Sequence, residues 1–311
     1  MLNALSANKK FNMLKLKDNT LIKSASYASV VIAGIILIIK IYGWVATESQ
    51  SLLASLIDSF LDISSSLINL IAVTVALMPP DDNHRFGHDK FQDLAIFSQS
   101  IFFFASCLFM LFSSGRALYL GDAPENPEVG ANAMYICIFL TFVLVCYQSY
   151  VVKRTGSKII AADKLHYFSD FLTNVVVVIS LYLSSSMWYI DAIAGIGIAI
   201  YIMHASYVLF RDAIRNLSDE EFNPEERKKI ISIVREFSEA KGLHELKTRS
   251  AGSKPFIQFH LELDGSLSLN KAHEISDRIA DRLIKEYPRA EIIIHQDPAG
   301  LEGEMNDLES V

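Results

Sequence analysis

Between residues 24 and 213 the apolar positions come in long runs, and polar positions are mostly confined to the short gaps between them. A helix needs about 20 apolar residues to cross the hydrocarbon core of a bilayer. Six runs qualify, at 24–46, 50–78, 92–118, 129–152, 158–184 and 187–213. The fifth is interrupted in its first half by Asp163, Lys164, His166 and Asp170. After residue 213 the pattern becomes that of a water-exposed domain. "NPEERKKIISIVREFSEA" predicts a helix with Asn223 as cap and Pro224 at its first position. "LHELKTRS" and "PFIQFHLELD" alternate apolar and polar residues as half-buried strands do. "SLNKAHEISDRIADRLIKEY" predicts an amphipathic helix from about Ser268, and "AEIIIHQD" a last strand.

These elements predict a membrane all-α bundle of six helices followed by a small α+β domain in the order αββαβ. The expected divisions are an N-terminal arm (1–23), the bundle (24–213), the α+β domain (214–298) and a disordered acidic tail (299–311). Lysine and arginine fix the orientation, because they favour cytoplasmic loops. Lys9, Lys10, Lys15, Lys17 and Lys23 precede the first run; Arg85 and Lys90 follow the second; Lys153, Arg154 and Lys158 follow the fourth. The alternate loops, "TESQ", "GDAPENPE" and "SSS", carry no positive charge. Both termini are therefore expected in the cytoplasm. The arm lacks the long apolar stretch and cleavage site of a signal peptide, so it is expected to be retained.

The net charge of −7, with no basic stripe, excludes nucleic acid as a partner. Cys107, Cys137 and Cys146 all lie in apolar runs without a CxxC pattern and are expected to be buried, inert thiols.

Ionisable residues inside a membrane are costly and mark ion pathways or hydrogen-bonded structural glue. Asp58 and Asp62 in the second run stand four residues apart, and so do His166 and Asp170 in the fifth. That spacing puts each pair on one helix face. The two runs cross in opposite directions, and both pairs fall near mid-depth, so neighbouring helices would bring four ligands together. Three carboxylates and an imidazole suit a divalent cation: Zn2+ first, with Cd2+, Mn2+ and Fe2+ also compatible. Without a cation such a site should hold protons, and His166 is the natural carrier near neutral pH. Lys40, Glu48 and Asp191 read as ordinary interfacial charges.

Two further clusters are capable of holding metal. "PPDDNHRFGHDKFQDL" offers Asp81, Asp82, His84, His88 and Asp89 in a loop, where a solvated polar turn is an equal reading. The last domain carries His244, His260, His273, His295 and Asp297.

The six-run order, "DSFLD", "DDNHRFGH", "LHYFSD", "FIQFHLE" and "IIHQDP" together resemble the cation diffusion facilitator family, in its subgroup of bacterial zinc and ferrous-iron exporters. The resemblance covers residues 20 to 298. It implies a transport site of Asp58, Asp62, His166 and Asp170, and a second site of Asp81, His84 and His88. It also implies a binuclear zinc site of His244, His260, His273, His295 and Asp297 in a metallochaperone-like cytoplasmic domain. A homodimer in the bacterial inner membrane is implied too, with Lys90 and Asp219 as an interlocking charge pair. The chain departs from the subgroup beside Lys90, where Asp89 and Gln92 replace its usual glycine and glutamate.

The expected function is efflux of a divalent cation by proton antiport. Bound Zn2+ serves as cargo and as a structural or regulatory ion, with no catalytic cofactor. The alternative is a membrane metal sensor that signals through its cytoplasmic domain without transport. An enzyme is disfavoured, because there is no HExxH and four converging ligands leave no open metal position.

Overall fold

A computed structural model of the chain describes residues 2–47, 50–120, 131–183 and 189–300. Within these, side chains are described from residue 18 onward, except at 43–44, 46–58, 61, 131–134, 177–178, 180–183 and 190–191. Glu48 and the side chains of Asp58 and Asp191 therefore lie outside the described residues, as does the acidic stretch from residue 301.

Each apolar run is one helix: α1 (Leu2–Thr47), α2 (Gln50–Ala76), α3 (Lys90–Leu120), α4 (Ala131–Thr155), α5 (Lys158–Leu183) and α6 (Ile190–Leu217). α1 runs unbroken through the lysine-rich arm, where no glycine or proline stops it. Among the described residues, α1, α3, α4 and α6 are apolar and long enough to cross a membrane by themselves. The other two helices, α2 and α5, contain the ionisable pairs Asp58/Asp62 and His166/Asp170.

α1 packs through a stripe of mostly small residues, Ala25, Ser26, Ser29 and Ala33, all buried. Small side chains let helix backbones approach, which is how bundles gain contact where lipid removes any hydrophobic drive. α6 meets α3 through Gly195, where a Cβ would come within 2.6 Å of Ser114 Oγ, and through Phe210 stacked on Phe97 at 5.3 Å. Cys107 and Cys137 are buried as expected, but Cys146 is exposed on the outer side of α4. In a membrane that side of α4 can face lipid, so an apolar run alone did not imply burial in protein.

The chain divides into two compact units, Met1–Ile214 and Arg215–Val311. The second contains α7 (Pro224–Arg235), β1 (Gly242–Ala251), β2 (Lys254–Leu263), α8 (Leu269–Glu286) and β3 (Glu291–Pro298). Asn223 caps α7 by accepting from the Glu226 N–H at 2.8 Å, and Ser268 caps α8. β1 pairs antiparallel with β2, and β2 pairs parallel with β3. A parallel pair needs a crossover, which α8 supplies.

The odd positions of β2, Ile257, Phe259, Leu261 and Leu263, enter a core shared with Ile230, Val234, Ile275, Ile279 and Leu283 of the two helices. Its even positions Gln258, His260 and Glu262 face the other way. In β1 a bulge between His244 and Lys247 shifts this phase. Leu243 and Leu246 both reach the core, and Glu245 takes the left-handed conformation (φ 50°) that the extra residue requires.

Candidate metal centres

α2 and α5 bring Asp62, His166 and Asp170 together, with one ligand atom from each lying within 4.8 Å of the others. His166 Nε2 is 3.1 Å from Asp62 Oδ1 and 3.7 Å from Asp170 Oδ2. Two donors bound to one tetrahedral Zn2+ at about 2.1 Å would stand about 3.4 Å apart, and the observed separations bracket that value. Nε2 is buried and makes no hydrogen bond among the described residues, so it is aimed at the carboxylates without being satisfied by them. Phe103 of α3 stacks on the imidazole at 5.5 Å, and Tyr167 meets it edge-on at 5.1 Å. These rings hold the imidazole in place. Asp58 precedes Asp62 by one turn of α2; its side chain is outside the described residues.

The loop between α2 and α3 is built around Asp81. Its Oδ1 accepts the backbone N–H of Asn83 at 3.0 Å and of His84 at 2.6 Å, closing a tight turn. The backbone N–H of His84 is the main cause that holds the Asp81 carboxyl below its ordinary value. Gly87, at φ 94°, turns the chain back so that His88 Nε2 comes within 3.4 Å of Asp81. His84 Nδ1 is 3.2 Å from the same carboxylate, and the two imidazoles are 4.5 Å apart. Asp82 pairs with Arg85 at 2.8 Å instead of joining this group.

In the second unit the strand register sets three histidines side by side: His244 on β1 faces His260 on β2, which faces His295 on β3. Asp297 lies 2.8 Å from His260, 3.5 Å from His244 and 3.3 Å from His295. Among the described residues the ligand atoms of His244, His260 and Asp297 converge within 4.8 Å. His273 is on α8 beside Asp277 at 3.5 Å and is not one of those three. The convergent groups fit a divalent cation by donor type.

Three contributors escaped the reading of the sequence. Glu262 places an oxygen 3.2 Å from His244 Nδ1; the period of two along β2 puts it on the face of His260. Phe103 carries no chemical signal at all. Asp163 was noted only as a break in hydropathy, yet it is buried and hydrogen-bonded to Ser29 and Gln148.

Comparison with known proteins bears on both units. The cation efflux transmembrane domain matches residues 26–218, and the cytoplasmic domain of cation efflux proteins matches residues 222–299. Protein p34 of Rickettsia rickettsii (strain Sheila Smith) is 60% identical over 284 residues, covering 91% of this chain and 94% of that protein. The cation-efflux pump FieF of Escherichia coli O1:K1 / APEC is 39% identical over 282 residues, covering 90% of this chain and 94% of that protein. The metal-bound C-terminal domain of the CzcD transporter from Thermotoga maritima is 28% identical; the match covers 27% of this chain and 100% of that one, at a TM-score of 0.25. With its paired domain matches and full-length relatives, the chain is a transmembrane cation efflux transporter of the cation diffusion facilitator family.

Proposed function

We propose that this transporter moves Zn2+ out of the cytoplasm in exchange for protons, at a site made by Asp58, Asp62, His166 and Asp170. One observation supports the reading: ligand atoms of Asp62 on α2 and of His166 and Asp170 on α5 lie within 4.8 Å of one another, with His166 Nε2 at 3.1 and 3.7 Å from the two carboxylates, close to the spacing of donors around one tetrahedral cation. The cation binds deprotonated ligands, so proton and metal compete for the same atoms and exchange needs no separate coupling device. Rocking of the helices would expose the site to one side of the inner membrane and then to the other. Zn2+ is favoured by the imidazole, while the carboxylates leave Cd2+, Fe2+ and Mn2+ as alternative cargo.

The loop residues Asp81, His84 and His88 form a second site. His244, His260, His273, His295 and Asp297 hold resident zinc in the cytoplasmic domain of a homodimer whose termini are both cytoplasmic. A cation there would cross-link the strands and make the domain sensitive to cytoplasmic metal. Lys90 and Asp219 serve as the interlocking pair between protomers; within its own unit Asp219 also pairs with Arg249 at 3.2 Å.

The deciding experiment is Zn2+ flux in proteoliposomes under an imposed pH gradient, comparing the native chain with Asp170→Ala. Flux that follows the gradient and disappears in the variant is the expected result. Binding of Zn2+ by the native protein with no flux under either gradient would replace antiport by the sensor reading.

A further inference from the structure

We propose that Asp163 is a positioning residue for the intramembrane cation site: with Ser29 and Gln148 it fixes the rotation of α5, and so the direction in which His166 and Asp170 are presented. The inference rests on the reading of Asp62, His166 and Asp170 as cation ligands.

Asp163 is only 1% exposed. A carboxyl at such a position is costly unless hydrogen bonds compensate its lost hydration. Ser29 Oγ of α1 lies 2.6 Å from Asp163 Oδ2, and Gln148 Nε2 of α4 donates to the same oxygen at 2.7 Å. Gln148 Nε2 is also 3.0 Å from Ser29 Oγ, so three side chains from three helices close a triangle. One turn further along α5, the Tyr167 hydroxyl pairs with Ser66 of α2 and lies 3.3 Å from the Ser29 carbonyl.

Asp163 and Tyr167 thus form one stripe of α5, pinned to α1, α2 and α4. His166 and Asp170 form a second stripe, set off by three residues, which is about 60° around the helix. Because the helix is rigid, turning one stripe turns the other. A rotation of about 30° sweeps an atom roughly 6 Å from the axis through about 3 Å, comparable with the whole 3.1 Å between His166 and Asp62. The triangle around Asp163 resists that rotation.

The test is Zn2+ titration of the full chain carrying His84→Ala and His260→Ala, so that the remaining binding reports the membrane site. Asp163→Ala should weaken that binding about tenfold or more, the range seen when a group that orients metal ligands is removed. Asp163→Asn keeps the size and one acceptor oxygen and should restore most of the affinity, with the pH profile of transport unchanged in shape. Ser29→Ala, which removes one arm of the triangle, should weaken binding in the same direction by less, and serves if Asp163→Ala does not fold. Native affinity in folded Asp163→Ala or, failing that variant, in Ser29→Ala would overturn the proposal. Native affinity in Asp163→Asn with a displaced pH profile would also overturn it, assigning Asp163 to proton carriage instead. Asp170→Ala is the control: if it leaves the affinity native, the ligand reading itself fails.

Discussion

Asp297 and His260 meet across the parallel pair of β2 and β3, with carboxylate and imidazole 2.8 Å apart, and the same carboxylate lies within 3.5 Å of His244. One acidic group thus serves histidines from two other strands. Asp297→Ala is expected to lower Zn2+ affinity of the cytoplasmic domain more than His295→Ala does, since His295 is 63% exposed and outside the convergent set. Titration of the full-length protein with both other sites disabled would measure the difference; equal losses would count against Asp297 as the shared ligand.

Glu262 stands behind His244, 3.2 Å from Nδ1, while Nε2 points toward Asp297. A carboxylate at that distance can accept from Nδ1 when Nε2 ligates a cation, and so orient the ring. Glu262→Gln should therefore weaken zinc binding by about tenfold without unfolding the domain, as read by calorimetry together with thermal unfolding. An unchanged affinity would reduce Glu262 to a neighbour.

The Asp81 turn has a defined acid limit. Its carboxyl is held below the ordinary value of 3.8, first by the His84 backbone N–H. A group with a depressed folded value contributes stability above its unfolded value, and loses it as pH falls through the lower folded one. Protection of the Asn83 and His84 amides, relative to their intrinsic exchange rates, should thus persist at pH 5 and fall only once the pH drops below about 4. Asp81→Ala should remove that protection from the Asn83 and His84 amides at every pH. Loss of protection already near pH 6 in the native chain would contradict the assignment.

Asn223 satisfies one of the otherwise unpaired N–H groups at the start of α7. Asn223→Ala is expected to destabilise the second unit by about 1 kcal/mol, visible as faster amide exchange in the first turn of α7. Glycine at the same position should cost less.

What was legible in the sequence follows periods and caps. The two i,i+4 pairs, Asn223 and Ser268 are local features, and α2, α5, α7 and α8 form around them. What was hidden depends on partners far along the chain. Ser29 is 134 residues from Asp163, so no window containing "AADKLHYFSD" reveals why that aspartate can be buried. The histidine rung was invisible for a similar reason: it exists only once the register of three strands is known. His273, implied by resemblance alone, lies on an exposed face of α8 next to Asp277, apart from the strand rung.

The bulge at Glu245 lets one strand meet two demands that alternate out of step. Upstream of it Leu243 enters the core and His244 faces the carboxylates; downstream Leu246 and Thr248 turn inward. Removing Glu245 alone would restore regular pairing and leave both ends of β1 in phase, with Leu243, Leu246 and Thr248 inward, whereas removing Lys247 would turn everything downstream to the wrong face. The length of this strand is therefore constrained on either side of the bulge independently of its composition: deletion of Glu245 should be tolerated where deletion of Lys247 is not.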